Sequence, residues 1–268
     1  MPFTVASWNV HAGIDGWGRT FDAATGIAKL NADLTVVVEA FEPDRGEPFM
    51  ETLGIALAEE VRFVELGRGR RQGPDPRASM RWMTRARWRS FAHGLYLDGA
   101  LPLPSEVTAR PLFQAAQPGR IGIGLLSRHP IVAEHTIELG RPRRDRIDRR
   151  ALVVEVNAPA GRLRVVAVHM THLSYGSPTH YRRLAAELDA IEDGTPTVVL
   201  GDFNLWGWPV RLLLGRQRAL RGRTWPSWLP HSQIDHVLID RRLEVRSAQV
   251  APDAGSDHRG IRATLALR

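Results

Sequence analysis

The chain has 268 residues, 43% of them apolar and 24% charged, and no cysteine. Those proportions suit a globular protein long enough to bury a sizeable core, and the missing thiols exclude a disulfide scaffold, a thiolate zinc finger and a cysteine nucleophile. The formal charge is +7, but Lys29 is the only lysine among 36 basic residues, so the excess reads as coding bias on an arginine-rich surface as much as a taste for polyanions.

No basic segment leads into a long apolar run at the start, and no stretch reaches the ~18 apolar residues of a membrane span. The expectation is a cytoplasmic protein, monomeric by default. In chain order, residues 3–8 read as a first strand and 20–30 as a helix. Leu34-Thr35-Val36-Val37-Val38 is a β-branched run of strand length that ends at Glu39. Residues 48–60 read as a helix and 61–66 as a strand, with further strands at 121–126, 131–139, 151–156 and 163–168. Residues 177–191 read as a helix, with Ser177 as its cap and Pro178 near the first turn. A buried strand at 197–200 follows, and strands at 234–239, 243–250 and 259–267 close the chain. The short gap between Ile239 and Leu243 predicts a hairpin. Strands dominate, with helices interspersed, which excludes a pure hairpin sandwich and a helical bundle. The pattern predicts an α/β or α+β layered fold, as one domain over residues 1–268.

Two segments stand apart. Residues 68–89 carry eight arginines against one acid, Asp75, interleaved with Met80, Trp82, Met83 and Trp88. Basic residues beside aromatics can grip a phosphate backbone while stacking bases; an exposed insertion whose aromatics tuck into the body is the plainer expectation. Residues 141–150 hold six arginines and two aspartates, and a solvated turn is expected there.

Polar residues able to do chemistry fall where strands end. Asn9 follows the first strand, Glu39 the second, and Asp202 and Asn204 follow Val198-Val199-Leu200-Gly201. Asp235 lies near the start of the next strand, and Asp257 and His258 precede the last. Strand ends hold side chains on a rigid frame. Carboxylates and amides are hard oxygen donors that suit magnesium, manganese or calcium rather than zinc. His172 and His258 add groups able to donate a proton or offset negative charge near neutral pH. A hard cation with carboxylates and histidines is equipment for attack of water on a phosphoester. Within Gly201-Asp202-Phe203-Asn204, glycine permits a sharp turn and the two polar side chains, two residues apart, are expected on one side.

The order of these motifs resembles the endonuclease/exonuclease/phosphatase superfamily, the DNase I-like proteins. The matching residues are Ser7-Trp8-Asn9-Val10, Val38-Glu39, Leu126-Ser127-Arg128-His129-Pro130-Ile131, Thr171-His172-Leu173, Gly201-Asp202-Phe203-Asn204, Ile234-Asp235-His236-Val237 and Ser256-Asp257-His258. The resemblance implies a four-layer α/β sandwich, two packed mixed β-sheets flanked by helices. It implies that Asn9, Glu39 and Asp257 serve a metal, with Glu39 the direct carboxylate ligand and Mg²⁺ the expected ion, Mn²⁺ or Ca²⁺ the alternatives. It implies that Asp202 activates water, that Asn204 orients the nucleophile and phosphate, and that His258, held by Asp235, contacts the scissile phosphate. The Thr-His-Leu context picks His172 over His169 as the further catalytic histidine. Val38 stands where the family often has glutamine, and His236 where it often has tyrosine; His236 is expected to pack. Arg128 is expected in a structural salt bridge.

A divalent-metal-dependent phosphoesterase is therefore expected, cutting a phosphodiester by activated water, with nucleic acid the first substrate reading. The alternative is a phospholipid or sphingomyelin-type headgroup phosphodiesterase, or an inositol-phosphate phosphatase. Trp206, Trp208, Trp225 and Trp228 could form an apolar rim suited to peripheral lipid contact.

Overall fold

Alternating burial sorts the strands into two sheets. The computed structural model describes residues 1–15, 20–71, 95–97, 117–142, 145, 147–172 and 178–268. The elements are β1 (Phe3–Asn9), α1 (Ala23–Leu30), β2 (Leu34–Pro43), α2 (Phe49–Leu57), β3 (Glu60–Arg71), β4 (Leu95–Leu97) and β5 (Gln117–Ser127). They continue with β6 (Ile131–Gly140), β7 (Arg149–Ala158), β8 (Gly161–His169), α3 (Thr179–Ala190), β9 (Thr197–Asp202), α4 (Gly207–Leu214) and β10 (Gln217–Arg218). The chain closes with β11 (Asp235–Ile239), β12 (Leu243–Val250) and β13 (Ile261–Leu267).

One sheet has the order β12-β13-β1-β2-β5-β3-β4 and the other β10-β11-β9-β8-β7-β6. Both are mixed: β1 runs parallel to β2 and β8 parallel to β9, while their other pairings are antiparallel. Every second residue of a strand shares a face. Val5, Val36, Val38, Ile123 and Leu125 of the first sheet meet Val165, Ala167, Val198, Leu200 and Val237 of the second in the main core. The opposite parity faces helices. Ala6, Trp8 and Val37 pack on Ile27 and Leu30 of α1 and Met50 and Leu53 of α2. Val166, Val168 and Val199 pack on Tyr181, Leu184 and Leu188 of α3 and Val210 of α4. The result is helix, sheet, sheet, helix, the four layers expected.

Local chemistry sets most boundaries. Asp22 caps α1 by accepting from Thr25 N at 2.9 Å, so the helix begins at Ala23 rather than at residue 20. α2 stops at Leu57 because Ala58 turns left-handed, φ 54°, and Glu60 already belongs to a strand. Its first turn is satisfied by the buried Glu42 carboxylate, which accepts from Phe49 N and Met50 N at 2.7 and 2.9 Å. At α3, Pro178 holds the cap position with no side-chain cap bond, and Ser177 lies outside the described residues.

Two expectations are corrected here. Residues 240–242 do not form a hairpin turn: β11 lies in the second sheet and β12 in the first. Asp240 accepts from Thr197 N and Arg242 N, at 2.9 and 2.8 Å, and so redirects the chain between sheets. The arginine-rich stretch 141–150 is not simply a solvated turn. Asp145 and Arg149 form a buried ion pair at 2.7 Å, and Arg149 also donates to the His169 carbonyl at 3.0 Å. Of the stretch 68–89, Arg68, Arg70 and Arg71 end β3; Arg77, Trp82, Trp88 and their neighbours lie outside the described residues. Among the described residues, no helix is long and apolar enough to cross a membrane.

Candidate metal and catalytic centre

Register alone collects the polar strand ends. β1 pairs in parallel with β2, Asn9 opposite Val38, so Asn9 ends beside Glu39, which lies within β2 rather than after it as the sequence suggested. β8 pairs in parallel with β9, His169 opposite Asp202, and β11 places Asp235 opposite Asp202 from the other side. β13 runs antiparallel to β1, with Ile261 opposite Ser7, which brings the preceding Ser256-Asp257-His258 to the same end. Parity does the rest: Asn9, His169, Asp202 and Asp235 share the faces of Val5, Ala167, Leu200 and Val237, and all look into the space between the sheets.

Glu39 arrives by a different device. The pairing of β2 with β5 shifts between Val38 and Ala40, so Glu39 is the extra residue of a β-bulge, held at φ 55°. A bulge re-aims a side chain out of the regular alternation, and a left-handed glutamate is a strained conformer that packing must sustain. Gly201 meets a tighter demand. Its φ is 145°, and a Cβ there would lie 2.0 Å from the Val168 carbonyl oxygen. Only glycine lets β9 approach β8 closely enough to bring Asp202 beside His169.

The side chains form one cluster across both sheets. Asn9 Nδ2 donates to Asp202 Oδ2 at 3.1 Å, and the Asn9 Oδ1 accepts from His11 N at 3.0 Å. Asp202 Oδ1 accepts from Asn204 N at 2.7 Å. His258 Nδ1 donates to Asp235 at 3.0 Å, which directs its Nε2 toward Asp202 Oδ2, 3.8 Å away. His169 Nε2 lies 3.6 Å from Glu39 Oε1 and 3.9 Å from Asp202 Oδ2. Asp202, Asp235 and His258 each offer a ligand atom within 4.8 Å of the others. Asp257 lies next to this group, with His11 Nδ1 3.9 Å from its carboxylate. Ser256 ties the loop down by donating to the Asn9 carbonyl at 2.6 Å.

Burial and charge set the protonation states. Burial, reinforced by the negative charges of Asp235 and Glu39, raises Asp202 well above the usual carboxylate range. His258 is the converse: burial opposes its charge, but Asp235 and Asp257 overrule that and hold it protonated well above its ordinary value. Burial and the nearby Arg149 charge push His169 well below its ordinary value, so its ring is neutral. Asp257 is held low despite its burial, because His11, His258 and hydrogen bonds from Trp225 and Ser256 favour its charge.

The histidine this geometry brings to Glu39 and Asp202 is His169, whereas His172 is exposed three residues past the end of β8. The signal was in the sequence: Leu163, Val165 and Ala167 face the main core, so two-residue alternation carries His169 to the same face. Asn204 does not share a strand face with Asp202. It turns left-handed at φ 50°, and its Nδ2 donates to the Met170 carbonyl at 3.0 Å. The Asp145–Arg149 pair was also missed as a brace: it clamps the end of β8 beneath His169, and Thr171 donates to Asp145. His236 packs as expected, its Nε2 donating to the Leu205 carbonyl at 2.9 Å and its ring edge-on to Phe203. Arg128 bonds Glu59 and Asn31, both at 2.9 Å, at the opposite end of the sheet from Glu39. Trp206 and Trp208 are exposed, while Trp225 and Trp228 are half-buried.

The donor set fits a hard divalent cation. It consists of carboxylate and amide oxygens, it gathers several carboxylates in a buried place, and one of those, Glu39, is delivered by a strained bulge.

Comparison with known proteins bears on the fold and the family. The model of the endonuclease/exonuclease/phosphatase family matches residues 6–258. A UPF0294 protein of Vibrio cholerae serotype O1 is 32% identical over 103 residues, a stretch covering 35% of this chain and 36% of that protein. An endonuclease/exonuclease/phosphatase from Beutenbergia cavernae superposes with a TM-score of 0.65 at 19% identity, over 99% of this chain and 72% of that one. The human nocturnin catalytic domain, solved with a bound sulfate anion, superposes with a TM-score of 0.63 at 17% identity, over 100% and 94%. The two packed mixed sheets are the DNase I-like fold, and this chain belongs to the endonuclease/exonuclease/phosphatase family.

Proposed function

We propose that this protein is a divalent-metal-dependent phosphodiesterase and that it cuts nucleic acid. The observation that carries the reading is the convergence of Asn9, Glu39, His169, Asp202, Asp235 and His258 at one end of both sheets. Asn9, Glu39 and Asp257 would hold the metal, Mg²⁺ first and Mn²⁺ or Ca²⁺ as alternatives. When bound, a hard cation supplies positive charge to the phosphate oxygens.

Each remaining role follows from local environment. Asp202, raised by burial and like charge, is matched to accept a proton from water near neutral pH. Asn204 fixes that carboxylate through its N–H and orients the nucleophile. His258, kept charged by Asp235, donates its Nε2–H to a phosphate oxygen and offsets the developing charge. His169 takes the place that the Thr-His-Leu motif gives to His172, as the neutral imidazole beside Glu39 and Asp202. The sulfate bound by the nocturnin domain, whose fold this chain shares, supports a tetrahedral oxyanion as the ligand class.

A metal-supplemented panel of plasmid, single-stranded DNA, RNA, a chromogenic diester and a phosphomonoester tests this. Hydrolysis should require Mg²⁺ or Mn²⁺ and stop with chelator, and Asp202→Ala should lower turnover about a thousandfold. Turnover surviving chelation would refute the metal. Intact DNA and RNA beside a cleaved chromogenic diester would refute the nuclease reading.

A second reading has its own observation. Trp206 and Trp208 are 61% and 72% exposed within four residues of Asn204, and tryptophans so placed also suit a lipid interface. Headgroup release from phospholipid or sphingomyelin vesicles, with nucleic acid left whole, would decide for it.

A further inference from the structure

Arginine is spread over this chain, and several arginines are matched by acid. Arg62 pairs with Glu134, Arg68 with Asp44, Arg128 with Glu59, Arg150 with Glu138, Arg164 with Glu155 and Arg242 with Glu192. Residues 211–223 hold five arginines and no acidic residue of their own. They run from the second half of α4, the helix after β9, along β10, the edge strand of the second sheet. Between α4 and β10 lies an open cleft of about 1110 Å³, walled by Arg211, Arg216, Arg218 and Arg221 with Trp208 and Leu212. Among the described residues, none of the four arginines makes a salt bridge, and no acid lines the cleft.

The helix is built to present this face. Gly207, Val210 and Leu214 are buried against the sheet, while Trp208 and Leu212, one turn apart, are 72% and 68% exposed. Large apolar side chains left in water beside a cluster of arginines mark a binding surface; Arg216 is partly offset by Asp240, Glu192 and Asp189, while Arg211 and Arg221 are exposed. The cluster is crowded as well: burial and the neighbouring charges of Arg221 and Arg211 lower the Arg218 pKa. Arg218 is pressed so close to α4 that a Cβ on Gly207 would lie 2.0 Å from its guanidinium carbon. The cleft begins at the helix that opens three residues after Asn204 and leads away from the centre for the length of α4, about 12 Å. A concave channel with arginines along it and an indole on its wall matches a linear polyanion with stackable bases.

We propose that the α4–β10 cleft is a second binding site, which holds a single-stranded segment of nucleic acid beside the catalytic centre. Arg211 and Arg221 neutralise phosphates, and Trp208 stacks a base. The proposal rests on the nuclease reading but is tested by binding, apart from cleavage.

The probe is fluorescently labelled dT15, titrated in EDTA at several salt concentrations. The charge reversals Arg211→Glu and Arg221→Glu lie on exposed side chains, and their melting temperatures check folding. Together they should weaken binding at least tenfold and flatten the salt dependence, by ~0.7 in the log–log slope for each phosphate no longer neutralised. Trp208→Ala should weaken binding about tenfold with the slope unchanged, since stacking releases no counterions. Arg246→Glu, on exposed β12, is the charge-matched control for either single reversal and should stay within twofold. Affinity unchanged in the double reversal, or lost equally in the Arg246 control, overturns the site. So does a wild-type protein that binds phosphatidylglycerol vesicles but not dT15. Cleft-dependent dT15 binding in a protein that cleaves no nucleic acid would uphold the site and sink the nuclease reading alone.

Discussion

Glu39 shows how a single residue can be placed against its own preference. A left-handed φ costs a residue with a Cβ about 1–2 kcal/mol, and here it positions a carboxylate that regular β2 would point elsewhere. Glu39→Gly should therefore be more stable than Glu39→Ala by about 1 kcal/mol in chemical denaturation, while both lose activity. Equal stability of the two variants would show that the bulge carries no strain. His236 makes a second prediction, in pH. Its Nε2–H is bonded to Leu205, its Nδ1 is buried with no partner, and burial lowers its pKa to about 4. In the unfolded chain the ring takes a proton near 6.5. Stability is thus full above about pH 7 and falls as pH drops from 6.5 toward 4, by an amount on the order of 3 kcal/mol. Thermal melts of His236→Gln should show a shallower decline between pH 7.5 and 5 than the wild type. Parallel curves would refute a buried neutral His236.

At the scale of elements, the centre depends on how closely β8 and β9 approach. A methyl at position 201 would meet the Val168 backbone, which has no room to yield. Gly201→Ala should cost more than about 3 kcal/mol, or prevent folding, although it changes the chain by one carbon. A melting temperature within a few degrees of wild type would contradict the close approach. The Asp145–Arg149 pair works at the same scale. It joins the segment before β7 to the last carbonyl of β8, with both side chains buried. Removing one partner strands the other charge, so Arg149→Met should destabilise by about 3–5 kcal/mol. Asp145→Asn combined with Arg149→Met should cost less than the sum of the two single changes.

The whole molecule gathers Glu39, Asp202, Asp235 and Asp257 where the two sheets meet, and only the folded chain does so. A cation that binds this cluster must stabilise the fold by mass action, about 2.7 kcal/mol at a hundred times its dissociation constant. Millimolar Mg²⁺ or Mn²⁺ should raise the melting temperature, EDTA should reverse the rise, and Glu39→Gln should abolish it. An equal rise in wild type and variant would place the ion elsewhere.

A layered α/β fold and most strands were legible because the apolar runs are long and their alternation regular, while the four layers came only from the family resemblance. Leu34 to Val38 and Val198 to Leu200 have few other ways to be buried. The polar residues at strand ends were legible for the same reason: Asn9, Asp202 and Asp235 interrupt those runs at fixed parity. Parity also points to His169, while the Thr-His-Leu motif points to His172, and strand geometry decides between them. Other features depend on contacts between residues far apart in the chain, where local pattern carries no signal. The passage of residues 240–242 between sheets rests on Asp240 reaching Thr197. The burial of Arg149 rests on Asp145 and the end of β8, and the bulge at Glu39 on its pairing with β5. The sequence by itself thus determined which residues are apolar, where strands run and which polar groups end them. Tertiary structure decided which of those groups meet, confirmed the histidine to which parity points, and set Arg211, Arg216, Arg218 and Arg221 around a cleft that no acid lines. Those outcomes are set by register, packing distance and long-range charge, which exist only once both sheets have closed on each other.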